Sequence, residues 1–224
     1  MSLNANNAPS AGGNFTPMEA GTYPARVVQV VDIGLQPRRP FQGQEKEPVN
    51  MIALTYEFLD EFVTDEDGQE DTSKPRWLTE TFAFYGLGSE RAKSTKRYNT
   101  LIGDRERDGE FGVLVDTPCN VTVVINPGKG KHEGKVFANI GEVTPMRAKD
   151  LKKWEDAALV NEPVIFDLDE PNLEDFAKLP QFLRDLITQK NLEFNGSPLQ
   201  EMLGDEAVPP KDGDGTELDD EVPF

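Results

Sequence analysis

The chain has 224 residues, with 41 acidic and 23 basic side chains and a formal net charge of −18. Apolar residues make up 37 %, enough for one folded domain with a sizeable core and further segments outside it. A single cysteine, Cys119, and a single histidine, His132, exclude a disulfide within the chain and a zinc site of the usual four Cys/His ligands.

Residues 1–14, rich in Asn, Ala, Ser and Gly, read as a disordered leader without the basic-then-apolar order of a signal peptide. No apolar run approaches the roughly 20 residues that span a bilayer, so a cytoplasmic protein without a membrane partner is expected. Gly21 to Ile33 is rich in β-branched residues and predicts a first strand. Gly34 to Pro48, with three prolines, reads as a long loop. Asn50 to Leu59 alternates as a second strand: Ile52, Leu54, Tyr56 and Phe58 share one face, and Met51, Ala53, Thr55 and Glu57 the other. Asp60 to Pro75 reads as a polar, acidic connection. Arg76 to Tyr85 predicts a third strand with Leu78, Phe82 and Phe84 inward and Glu80 an ill-fitting member of that face. Trp77, Thr79, Thr81 and Tyr85 point the other way.

Ser89 to Ile102 predicts a helix capped by Ser89 and stopped by Gly103, with Tyr98 packing it onto the sheet. Asn120 to Asn126, with Val121, Val123 and Ile125 inward, and Lys135 to Val143 predict a hairpin around the Gly/Lys turn Pro127 to Gly134. The order β-β-β-α-β-β is that of a five-stranded OB barrel. Such barrels bind oligonucleotides on strands two and three and on the loops joining strands 1–2 and 4–5. The fold expected is therefore mainly β, an OB-fold domain over 15–149 with one internal helix. A helical extension follows over 150–204, with Pro180 dividing one helical stretch and Ser197-Pro198 opening a last short helix. Residues 205–224 read as a disordered acidic tail.

The acidity is uneven. Residues 1–149 carry 17 Lys/Arg against 21 Asp/Glu, residues 150–224 carry 6 against 20, and 205–224 alone carry one Lys against 8 acids. The nearly neutral domain has two locally basic loops: Arg38, Arg39 and Lys46 in one, and Lys129, Lys131 and His132 in the other with Lys135 at its edge. Single strands are held by a positive groove for phosphates and by aromatic faces on which bases stack, each worth about 1–3 kcal/mol. The candidate stackers are Phe41, Trp77 (with Arg76 beside it), Tyr85 and Phe137. Catalytic readings lack support: His132 lies in a Gly/Lys turn, Cys119 follows a proline at a strand edge, and neither phosphate-loop nor dinucleotide glycine spacing occurs. The acidic stretches near Asp65 and Asp212 miss the glycine and closing glutamate of a calcium loop. No enzyme activity and no cofactor or metal is expected.

The last residues are Asp219, Asp220, Glu221, Val222, Pro223 and Phe224. Acids joined to a Pro-Phe carboxylate suit a small apolar pocket ringed by Arg or Lys on a partner. With this tip, the acidic tail and the OB-like order, the sequence resembles the single-stranded DNA-binding proteins of bacteria and their phages. The long strand 2–3 connection and the 150–204 segment depart from the bacterial pattern and favour a phage member, acting in a bacterial host cell. The resemblance implies protection of single strands in replication, recombination and repair. It also implies recruitment of replication proteins through the tip and competition between tail and DNA for the basic groove. It leaves the oligomeric state open, a homo-oligomer included. Two other readings remain: a strand-annealing recombination mediator, and an acidic adaptor that binds proteins and no DNA.

Overall fold

The computed structural model describes residues 17–64, 68–128, 130, 133–154 and 157–204. Six strands form one mainly antiparallel sheet: β1 Gly21–Phe41, β2 Gln44–Thr64, β3 Glu70–Ala83, β4 Pro118–Pro127, β5 Val136–Pro145 and β6 Val164–Phe166. The hydrogen-bonded order is β3-β2-β1-β4-β5, and β6 runs parallel to the middle of β1. The main helix, α1, spans Lys93–Ile102, and the described C-terminal region adds α2 Ala148–Lys153, α3 Leu173–Lys178, α4 Gln181–Asp185 and α5 Pro198–Leu203.

The alternation of β2 is realised: Ile52, Leu54, Tyr56 and Phe58 are buried in a first core with Val27, Phe82, Leu114, Val121 and Val143. Helix α1 closes this core with Tyr98, Leu101 and Ile102. The Tyr98 hydroxyl donates to Asp108 Oδ1 at 3.0 Å and accepts from Gly109 N at 3.0 Å. Helix α1 starts at Lys93 rather than at Ser89, with Ala92 at its N-cap, and ends at Gly103 as the sequence predicts. Glu80, out of place on an apolar face, is buried in this core because its charge is met. Arg97 Nε lies 2.7 Å from Oε1, Lys93 Nζ 2.9 Å from Oε2, and the Tyr56 hydroxyl donates to Oε1 at 2.8 Å. Arg97 also donates to Gly141 O on β5 at 3.3 Å. One α1 side chain thus joins β3 and β5, the two ends of the hydrogen-bonded path. Gly141 sits where the β4–β5 register shifts, and a Cβ there would meet Val124 Cγ1 at 2.9 Å.

Two expected loops are strand. Gly34 to Pro48 continues the β1–β2 ladder as a two-stranded arm, paired at Gln36–Val49, Arg38–Lys46 and Phe41–Gln44. Gln42 and Gly43 turn it with φ of 52° and 78°, the left-handed pair that a two-residue hairpin loop needs. Pro37 and Pro40 fall where the register shifts. A two-stranded ribbon has an outward side on which no N–H is required, so prolines do not break it. Asp60 to Pro75 likewise belongs largely to a β2–β3 arm, paired from Phe62–Pro75 to Thr64–Glu70. Next to its last paired rung, Thr64–Glu70, Asp71 accepts from Ser73 and meets Lys74 Nζ at 2.8 Å; the Lys74 and Ser73 hydrogen bonds pull its carboxyl down to about 2. Ile125, expected inward, is exposed because β4 has left β1 behind by that point.

The C-terminal extension packs on the opposite face of β1 and β2. Val31, Ile33 and Ala53 form a second core with Val164, Phe166, Phe176, Leu179, Leu183, Ile187, Phe194 and Leu199. Pro180 does divide the helical stretch, and Ser197 caps α5, accepting from Gln200 N, with Pro198 at its first turn. Between β5 and β6 the described residues hold one short helix, α2. Glu57, on the outer face of β2, is 1 % exposed: its carboxylate accepts from Val160 N, Asn161 N and Asn161 Nδ2 at 2.5–3.0 Å.

Candidate nucleic-acid interface

With a hydrophobic layer on each face, the sheet leaves its hairpin arms and the outer side of β3 as surface for a ligand. The β1–β2 arm carries Arg38, Arg39 and Phe41, all exposed, and Phe41 is 58 % exposed. Arg38 stands directly opposite Lys46, so two cations share one rung. Lys46 Nζ lies 4.5 Å over the Phe41 ring, a cation–π contact that holds the ring flat beside positive charge. Glu45 and Glu47 alternate with these groups on β2 and keep the arm's charge modest.

Along β3, Trp77 is exposed and paired with Glu57. Beneath its line, Thr55 and Thr79 share a hydrogen bond between their hydroxyls at 2.8 Å. Six residue steps, about 20 Å of strand, lead from Trp77 to the end of β3 at Ala83. Tyr85 lies past that end, exposed, with its backbone N and O both bonded to the Ser94 hydroxyl of α1. Phe84, assigned to the core by alternation, is instead 44 % exposed and packs edge-on against Phe111 at 5.1 Å. Its N–H bonds Asn50 O at the root of the β1–β2 arm. Phe84 and Tyr85 therefore add two aromatic faces close to where that arm begins.

Arg76 does not join them. It is 9 % exposed, and its Nε donates to Phe62 O at 3.0 Å, pinning the bulge that separates the Glu57 and Phe62 rungs. Its guanidinium works inside the β2–β3 arm. On the β4–β5 arm Lys135 and Phe137 are exposed, together with Val124, Ile125 and Val136. That apolar strip was not legible as surface, because strand alternation assigns faces but does not say where a neighbouring strand ends. Lys129, Lys131 and His132 lie outside the described residues, as do Asp219, Asp220, Glu221, Val222, Pro223 and Phe224.

Register also places the two arms. The β1–β2 arm leaves the C-terminal end of β1, beyond Leu35–Asn50, and the β4–β5 arm leaves the N-terminal end, beyond Gly21–Val123. A ligand using both runs along the sheet. The outer face of β2, expected as part of the binding surface, is not available: Met51, Ala53 and Glu57 lie under the extension.

Cys119 is fully buried, which pushes its thiol up and leaves it unreactive. Among the described residues no group of three or more His, Cys, Asp or Glu side chains is placed to hold a metal ion, and no helix is long and apolar enough to cross a membrane. A scan against protein-family models finds no match to this chain, and a search of curated proteins finds none.

Proposed function

We propose that this protein binds single-stranded DNA through its hairpin arms and β3, and that its acidic segment 205–224 competes with DNA and recruits replication or recombination proteins. The observation that carries the reading is exposed aromatic faces and cations carried together on projecting arms: Phe41, under Lys46 Nζ, with Arg38 and Arg39 on the same arm, and Phe137 two positions from exposed Lys135. Stacking faces beside positive charge serve any base sequence, because every base has a π-face and every nucleotide a phosphate. The strand order β3-β2-β1-β4-β5, with α1 between β3 and β4, supports an OB barrel whose ends are drawn together by Arg97. The resemblance of the tip to that of bacterial and phage single-strand binders supports the partner role.

Titration of full-length protein with oligo-dT near physiological salt tests the proposal. Binding with quenching of tryptophan fluorescence is expected, and Trp77→Ala removes most of the quenching. Deleting 205–224 removes a net seven negative charges and tightens binding, most strongly at low salt. If neither the full-length nor the truncated protein binds, the reading is wrong. The second reading, an acidic adaptor for proteins, draws on the net charge of −18 and the covered face of β2, and that same negative result favours it.

A further inference from the structure

Beyond the Glu57 contact and the β6 ladder, the extension makes a polar contact with the sheet at the root of the β1–β2 arm. Asn191 Oδ1 accepts from Leu35 N at 3.0 Å, and Leu192 N donates to Leu35 O at 2.9 Å. Gln36 Nε2 donates to Leu186 O at 3.2 Å and to Ile33 O at 2.5 Å. The Asn191 amide is itself held, because Oδ1 also accepts from Glu193 N at 3.0 Å. Gly34 lies under it with φ of +74°, and a Cβ at that position would come 2.4 Å from Asn191 Nδ2. Backbone, side chain and the missing Cβ all fit one joint.

The joint's position gives it a consequence. Leu35 pairs with Asn50 on one side, and on its other side Asn191 and Leu192 take the place of a neighbouring strand. The arm beyond it is two-stranded, and an unsupported two-stranded ribbon twists strongly and is marginally stable in water. Whatever fixes its root fixes the direction in which its tip points. We infer that Asn191 is a positioning residue for nucleic-acid binding: it touches no ligand but sets how Arg38, Arg39 and Phe41 are presented. The inference rests on the proposed single-strand activity for its binding half, whereas the mechanical half stands on the joint alone.

Two measurements on the full chain separate these halves. Amide exchange without ligand reads the joint. Asn191→Ala should speed exchange of arm amides 36–48 by about tenfold while leaving α1 and β4 unchanged. Gly34→Ala, which strains the joint from the other side, should do the same. Asn191→Asp keeps the acceptor for Leu35 N and should restore protection. Oligo-dT affinity in a double-mutant cycle reads the consequence. Asn191→Ala should weaken binding about three- to tenfold in the native background. It should have no further effect when Arg38, Arg39 and Phe41 are already alanine. Equal loss in both backgrounds, or unchanged arm exchange, overturns the inference. If the native protein does not bind oligo-dT, the ligand role falls with the proposed function, and the exchange result still decides whether Asn191 holds the arm.

Discussion

The two faces of the sheet each bury a glutamate, and they do so by different means. On the inner face Glu80 is met by two cations and a hydroxyl drawn from α1 and β2. On the outer face Glu57 is met by three N–H groups of the segment that leads into β6. The first arrangement ties β3, α1 and β5 together, so it belongs to the closure of the inner core. The second ties the start of the extension to β2, so it belongs to the attachment of one region to another. A charge neutralised by opposite charges is costly to leave alone, because the surviving partner stays buried in a poor solvent. A carboxylate satisfied by neutral donors loses hydrogen bonds but leaves no buried counter-charge behind.

The largest expected effect breaks the inner arrangement. Arg97→Met leaves Glu80 buried with Lys93 as its remaining cation and removes the bridge to Gly141 O. Loss of one partner from a buried pair costs about 3–5 kcal/mol. Urea denaturation should show a lowered midpoint for the whole domain, with the inner core and the extension unfolding together. A loss below about 1 kcal/mol would mean that Glu80 behaves like a surface pair and that the bridge does not hold the sheet's ends.

Leu183→Ala tests the outer layer. Leu183 is fully buried among Val31, Ile33 and the extension's own apolar residues. A buried leucine cut to alanine costs about 2–5 kcal/mol, according to how far the site collapses. The comparison predicts where the loss is felt: amide exchange should rise through α3, α4 and β6, with little change in α1 and β4. If α1 exchanges equally fast, the two layers are one cooperative unit and the distinction between closure and attachment fails.

These layers also separate what periodicity revealed from what it concealed. Strand alternation located β2, β4 and β5 and the inner faces of Leu54, Tyr56, Phe82 and Val121, because inner residues answer to one core. It marked Glu80 as ill-fitting but could not supply Arg97, 17 positions away on a helix that folds back. Capping chemistry located the stop at Gly103 and the start at Ser197-Pro198, since those signals act within a few residues. The arms were concealed: prolines and charges mean loop in most contexts, and only pairing with a second strand makes Gln36 to Phe41 a ribbon. Of the candidate site, Phe41, Trp77, Tyr85 and Phe137 were legible as outward residues. Phe84 was not, because β3 ends before it; nor was the covering of β2, which depends on residues more than a hundred positions later.

The smallest effect concerns acidity and sharpens the same comparison. Burial alone raises the Glu80 carboxyl, but the hydrogen bonds and charges of Arg97 and Lys93 outweigh it, and the net shift is below the ordinary value of 4.5. A carboxyl held below its unfolded value contributes stability that is fully present above about pH 4.5 and is lost as pH falls through the folded value. Other acids move the opposite way: burial raises Asp32, and like charge from Asp167 and Asp169 adds to it, so the native curve alone does not isolate Glu80. The difference between native protein and Glu80→Gln does. That gap, from urea midpoints between pH 7 and pH 3, should stay constant down to about pH 5 and then narrow, since protonation turns the native side chain into a neutral group like glutamine. A gap that widens toward low pH would mean that burial outweighs the cations at Glu80, and the inner carboxylate would then be strained by its core instead of holding it closed.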